Sequence, residues 1–144
     1  MTTTYIPHPP VTLANAPIWW RALVAGLTGI TAVGAWFGTW YLTGDAPARE
    51  IPFAPPDFLP GGWTFGGFAL LVLVAAPMTV ACWLAATGHN SAPAAATTAG
   101  AVLVAWIAIQ VALIGFVFWL QPAMALIGLM VTVLGLWALR PLRQ

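Results

Sequence analysis

Residues 99–139 read AGAVLVAWIAIQVALIGFVFWLQPAMALIGLMVTVLGLWAL, without a single charge. A membrane-spanning helix needs about 20 mostly apolar residues, because the hydrocarbon core is about 30 Å thick and each helical residue rises about 1.5 Å. The stretch is therefore two spans long. Gln121-Pro122 divides it into a span from Ala99 to Leu120 and another from Ala123 to Leu139. So short a connection forces an antiparallel hairpin. Pro122 is tolerated in the first turn of the following helix, where its missing N–H would have no partner in any case.

Working outward toward the N-terminus, two further apolar runs reach spanning length, Ile18 to Leu42 and Trp63 to Ala86. Their only charge is Arg21, close enough to a span end for its long side chain to snorkel to the headgroups. The expected fold is all-α, a transmembrane four-helix antiparallel bundle spanning 18–140. A Pro-rich arm, 1–17, precedes it and a short basic tail, 141–144, follows. Gly88 is a helix stop and Pro93 a restart signal between the second and third spans. Between the first and second spans lies TGDAPAREIPFAPPDFLPGG, which holds all three acidic residues and five of the thirteen prolines, and reads as extended chain lying on the bilayer surface.

Composition points the same way. Of 144 residues 61% are hydrophobic and 5% charged, whereas about a quarter are charged in an ordinary soluble domain. A soluble enzyme and a disordered tail are both excluded. Four arginines and no lysine, at net charge +1, cannot neutralise a row of phosphates, so nucleic acid is not a partner. Arg21, Arg140 and Arg143 fall on one side of a four-span arrangement and Arg49 on the other. By the positive-inside rule both termini are expected in the cytoplasm and the acidic loop outside.

Close helix contact in lipid relies on small residues. Gly34 and Gly38 form a GxxxG pair in the first span, and Ala101, Ala105, Ala108, Ala112 and Gly115 form a stripe along the third. The stripe is expected to make the closest contact in the bundle, or else a homodimer face. Gln110 and Trp106 lie on the opposite side of the third helix, so Gln110 is expected near mid-span, facing protein or a small cavity. One partner for its carboxamide is a carbonyl near residue 73, freed by Pro77 in a kinked second helix. Seven tryptophans near span ends, Trp20 among them, read as interfacial anchors, while Trp36 and Trp106 read as interior.

The segments PPDFLPGG, WIAIQVALIGF and LQPAMALIGL together resemble a widespread group of small four-span bacterial membrane proteins of actinobacterial type. The matching positions are Asp57, Pro60, Gly61, Trp106, Gln110, Ile114, Gly115, Gln121, Pro122 and Gly128, within roughly residues 27–139. The resemblance implies the four-span architecture and brings no activity with it. A composition without lysine and rich in Ala, Gly, Pro and Trp fits a GC-rich bacterium, which places the chain in a bacterial plasma membrane.

Chemistry-bearing groups are sparse. Cys82 is the only cysteine and reads as a small apolar residue of the second helix. His8 and His89 lack a third ligand of suitable type, so no metal is expected. No ionisable residue lies deep in a span, which argues against ion or proton coupling, and no catalytic constellation can be assembled. The expectation is a protein that is not an enzyme and holds no cofactor. Asp57, just before the second helix, suits the positive end of its dipole. Asp57, Arg49 and Gln121 could also meet on the outer surface to hold a headgroup or partner loop, with Phe53 and Phe58 covering the bundle end.

Two functions fit these residues. The first, favoured because every residue singled out has an adequate packing explanation, is a structural or accessory protein packed beside a larger membrane partner or with itself. The second is a binder of an apolar small molecule, lipid or quinone, in a cavity near Trp106 and Gln110. A bundle filled by side chains at Gln110 would favour the first, and an open apolar pocket with Gln110 in its wall the second.

Overall fold

The computed structural model of the chain describes residues 16–44, 60–116 and 119–140. Four long apolar helices pack with one another as an all-α bundle: α1 (Ile18–Thr43), α2 (Trp63–Thr87), α3 (Ala92–Ile114) and α4 (Leu120–Leu139). Each is long and apolar enough to cross a bilayer. A third or less of each span's most apolar window is buried within the protein, and Phe37, Trp40, Trp83 and Trp119 are each more than 60% exposed. Such a surface is stable against lipid and not against water.

The helix ends follow local chemistry. α2 stops at Gly88, whose left-handed conformation lets its N–H reach Ala85 O while His89 N–H reaches Leu84 O, a Schellman arrangement. Arg21 completes this cap. Its Nε donates to Ala85 O at 3.2 Å and its Nη2 to Ala86 O at 2.7 Å, so its charge meets the negative end of the α2 dipole. The arginine expected to snorkel thus ties α1 to α2. Arg21→Met removes a charged donor from two terminal carbonyls and should cost about 1–2 kcal/mol, read as a lower thermal midpoint of the purified protein.

Within α2, Pro77 removes the donor that would pair with the carbonyl four residues earlier. The helix absorbs the defect as a π turn over Leu71–Ala75, in which Ala76 N–H bonds Leu71 O. The expected donor from Gln110 plays no part: among the described residues its carboxamide makes no hydrogen bond.

α3 differs from its expected bounds. It begins at Ala92, with Pro93 in its first turn, and ends at Ile114 because Gly115 takes φ 76 and ψ −174, a region open essentially to glycine alone. Hydropathy carries on to Leu120, but the backbone turns five residues sooner. α4 starts at Leu120, so Gln121 and Pro122 belong to its first turn and the connection lies before them.

The closest helix contact joins α3 to α4, along a different face of α3 from the expected one. A Cβ built on Gly100 would stand 2.6 Å from Gly128 O and 2.7 Å from Thr132 N, and one on Gly135 2.7 Å from Pro93 O. Backbone meets backbone there. Ala101, Ala105, Ala108, Ala112 and Gly115 are all exposed, while Ala92, Ala96, Ala99, Gly100, Leu103 and Ile107 are buried. Ala108→Leu should therefore shift stability by less than about 0.5 kcal/mol, again read from the thermal midpoint.

α2 packs on α3 where Val74 and Met78 share a buried cluster with Leu103 and Ile107, and α1 contacts both α2 and α4. α1 meets α2 where Cys82 Sγ–H reaches Ala25 O at 3.4 Å and where Gly67 approaches Thr39. α1 meets α4 near the chain ends, where Trp20 is buried and donates from Nε1 to Leu134 O at 3.0 Å, and Trp19 lies against Trp137 with centroids 5.7 Å apart. Trp20 is thus an interior residue and not an interfacial anchor. Trp36 instead is half exposed and donates to Thr79 Oγ1.

Candidate functional site

Two apolar clusters fill the bundle. One, at the Trp20 end, draws buried residues from all four helices, including Val131 and Ala138 of α4. The other, around Val74, Met78 and Leu103, has no fully buried member from α4, whose Met124 and Ala125 only pack against it. α4 therefore contributes less to the core toward the α3–α4 turn. The space so opened is a cleft of about 420 Å³, within the range of about 300–1,000 Å³ typical of small-molecule sites.

Residue spacing explains its walls. From α1 come Ile30, Thr31, Gly34, Ala35, Gly38 and Leu42, one helical face at intervals of three and four. α3 contributes Leu103, Trp106, Ile107, Gln110 and Ile114 by the same rule, and α4 gives Leu120, Gln121 and Met124. Leu70 and Val74 of α2 form the back. The volume exists because α1 carries small residues there: a Cβ on Gly34 would meet nothing within 4 Å. Gly38 is narrower, its Cβ position lying 2.8 Å from Leu70 Cδ2. The GxxxG pair is thus half contact and half opening.

Polarity changes along the cleft. Ile30, Thr31, Val74 and Leu103 lie near the middle of their helices, whereas Leu42, Trp63, Ile114 and Gln121 lie at the end with the α3–α4 turn. Ile30 to Leu42 covers about 18 Å at about 1.5 Å per residue, roughly half of a 30 Å hydrocarbon core. At the deep end Thr31 satisfies its hydroxyl by donating to Leu27 O at 2.8 Å. At the mouth Gln121 is buried, with Nε2 donating to Gly115 O at 3.3 Å; it thereby braces the turn. Gln110 stands one turn from the end of α3 and not at mid-span. It is partly exposed in the cleft wall.

Trp106 is a second polar resource with a different status. Its Nε1 is buried and has no hydrogen-bond partner, so it is sealed from the open volume even though the ring forms part of the wall. Among the described residues no charged side chain lines the cleft, and no three His, Cys, Asp or Glu side chains gather.

The structure thus brings Trp106, Gln110 and Gln121 together around one space, with Gly34 and Gly38 opposite. Asp57, Arg49, Phe53 and Phe58 lie outside the described residues, as do residues 1–15 of the Pro-rich arm and the basic tail. Sequence reasoning missed Thr31 and Met124 as wall residues, although the interval from Thr31 to Gly34 and Gly38 was readable. Searches against family models, curated proteins and solved structures find no match to this chain.

Proposed function

We propose that this four-span membrane protein binds an apolar molecule of the lipid or quinone class in the cleft between α1 and α4. The observation that carries the reading is an open apolar cavity with Gln110 in its wall, in a bundle whose α3–α4 interface closes down to backbone contact. An unpaired carboxamide in hydrocarbon costs a few kcal/mol, and an occupant of the cleft offers it a partner. The accessory reading predicts side chains filling this space, so the geometry favours it less. Binding and holding are proposed, without catalysis. Native mass spectrometry of the protein released from nanodiscs should show one retained molecule per chain. A protein that emerges empty and gains no stability from added lipid overturns the proposal.

The arginine distribution further supports a plasma-membrane orientation with cytoplasmic termini, which puts the mouth of the cleft in the outer leaflet. Asn90→Cys, in the exposed α2–α3 turn, should then react with an impermeant maleimide in inverted vesicles and not in intact cells. The opposite labelling pattern reverses the orientation.

A further inference from the structure

Resting on the proposed cleft reading, we infer that the occupant is a single-chain amphiphile with a neutral hydrogen-bonding head, its head at Gln110 and its chain running to the bilayer midplane. Three observations fix this chemistry. The first is depth: the cleft begins at the turn end of the bundle and stops at Ile30, Val74 and Leu103. It is one leaflet deep, which suits a chain that belongs to a single leaflet and not a molecule that crosses the membrane.

The second is the order of polarity. The deep end is aliphatic, and its one hydroxyl, on Thr31, already donates to its own helix. Gln110, by contrast, has both its N–H2 and its carbonyl oxygen without partners among the described residues. A carboxamide both donates and accepts, so it matches a head with a carbonyl and a hydroxyl, as in a monoacylglycerol. A bare hydrocarbon would leave that carboxamide unpaired in the wall.

The third is charge. No charged residue among the described ones lines the cleft, and an ionised carboxylate or phosphate drawn in beside Trp106 and Ile114 would lose hydration with no countercharge among the described residues to replace it. Neutral heads are therefore selected. Entry is from the side of α1, where Gly34 lines the cleft, is exposed and presents no side chain to block a chain sliding in from lipid.

The test uses the full chain in phosphatidylcholine nanodiscs, with two monoacylglycerol probes that carry a photoreactive diazirine beside the ester or at the chain end. The ester-side probe should label the segments holding Gln110 and Gln121, and the chain-end probe those holding Ile30 and Val74. Unlabelled monooleoylglycerol should compete at least ten-fold better than hexadecane or oleate. Gln110→Leu, close to isosteric and facing the cleft, should erase that preference while hexadecane competes as before. Equal competition by all three compounds, or labelling in the reverse order, overturns the inference about the head while leaving an occupied cleft. Absence of labelling by either probe overturns both the inference and the cleft reading.

Discussion

Gly100→Leu is expected to abolish the folded bundle. A Cβ at this position falls 2.6 Å from Gly128 O, 2.7 Å from Thr132 N and 2.5 Å from Thr132 Oγ1. Two of the three are backbone atoms, which cannot rotate away, so α3 and α4 must separate along the whole interface. Ordinary overpacking costs about 1–3 kcal/mol because side chains can adjust. Here they cannot, and the loss should exceed about 4 kcal/mol, the range reserved for specific structural failures. The measurement is the yield of monodisperse protein and its thermal midpoint. Ala101→Leu, one residue on but exposed, is the matched control and should leave both unchanged.

Gly34→Phe should produce the opposite pairing of effects. The position lines the cleft, and its Cβ would meet nothing within 4 Å, so the ring enters space that is already open. Replacing a mid-helix glycine by phenylalanine also recovers part of the glycine propensity penalty, roughly 0.3–0.5 kcal/mol. Stability should hold or rise while retention of an apolar ligand falls by more than ten-fold. Native mass spectrometry and thermal unfolding on the same preparation read both quantities. If ligand retention survives the substitution, the molecule sits elsewhere.

The four spans were legible because length and apolarity are what a bilayer demands, and Gln110 was legible as a wall residue because a carboxamide in such a span must face something other than lipid. The packing face of α3 was not. Lipid and protein interior are equally apolar, so the exposed Ala101–Ala108 side and the buried Ala96–Leu103 side carry the same hydropathy, and small residues occur on both. What separates them is shape: Gly100 finds Gly128 and Thr132 across the interface, a relation between two helices that neither sequence shows alone. The end of α3 was hidden for a similar reason, since Gly115 lies in an unbroken apolar run and only its backbone conformation marks the turn. Trp20 and Trp36 exchanged their expected places because indole suits both an interface and a core, provided its N–H finds an acceptor. Leu134 O and Thr79 Oγ1 supply those acceptors.

The contact of α1 with α4 at the Trp20 end ties the first span of the chain to its last. The Trp20–Leu134 hydrogen bond and the Trp19–Trp137 contact fasten α1 to α4 at one end, and the cleft lies toward the other. Because Val74 and Met78 of α2 share a buried cluster with Leu103 and Ile107 of α3, α1–α2 and α3–α4 are joined into one body and do not move as separate arms. Tilt is the variable through which spans match the hydrocarbon around them. A thicker bilayer favours upright helices and a thinner one tilted helices, and the end tied by Trp20 and Trp19 is where the spans must tilt together.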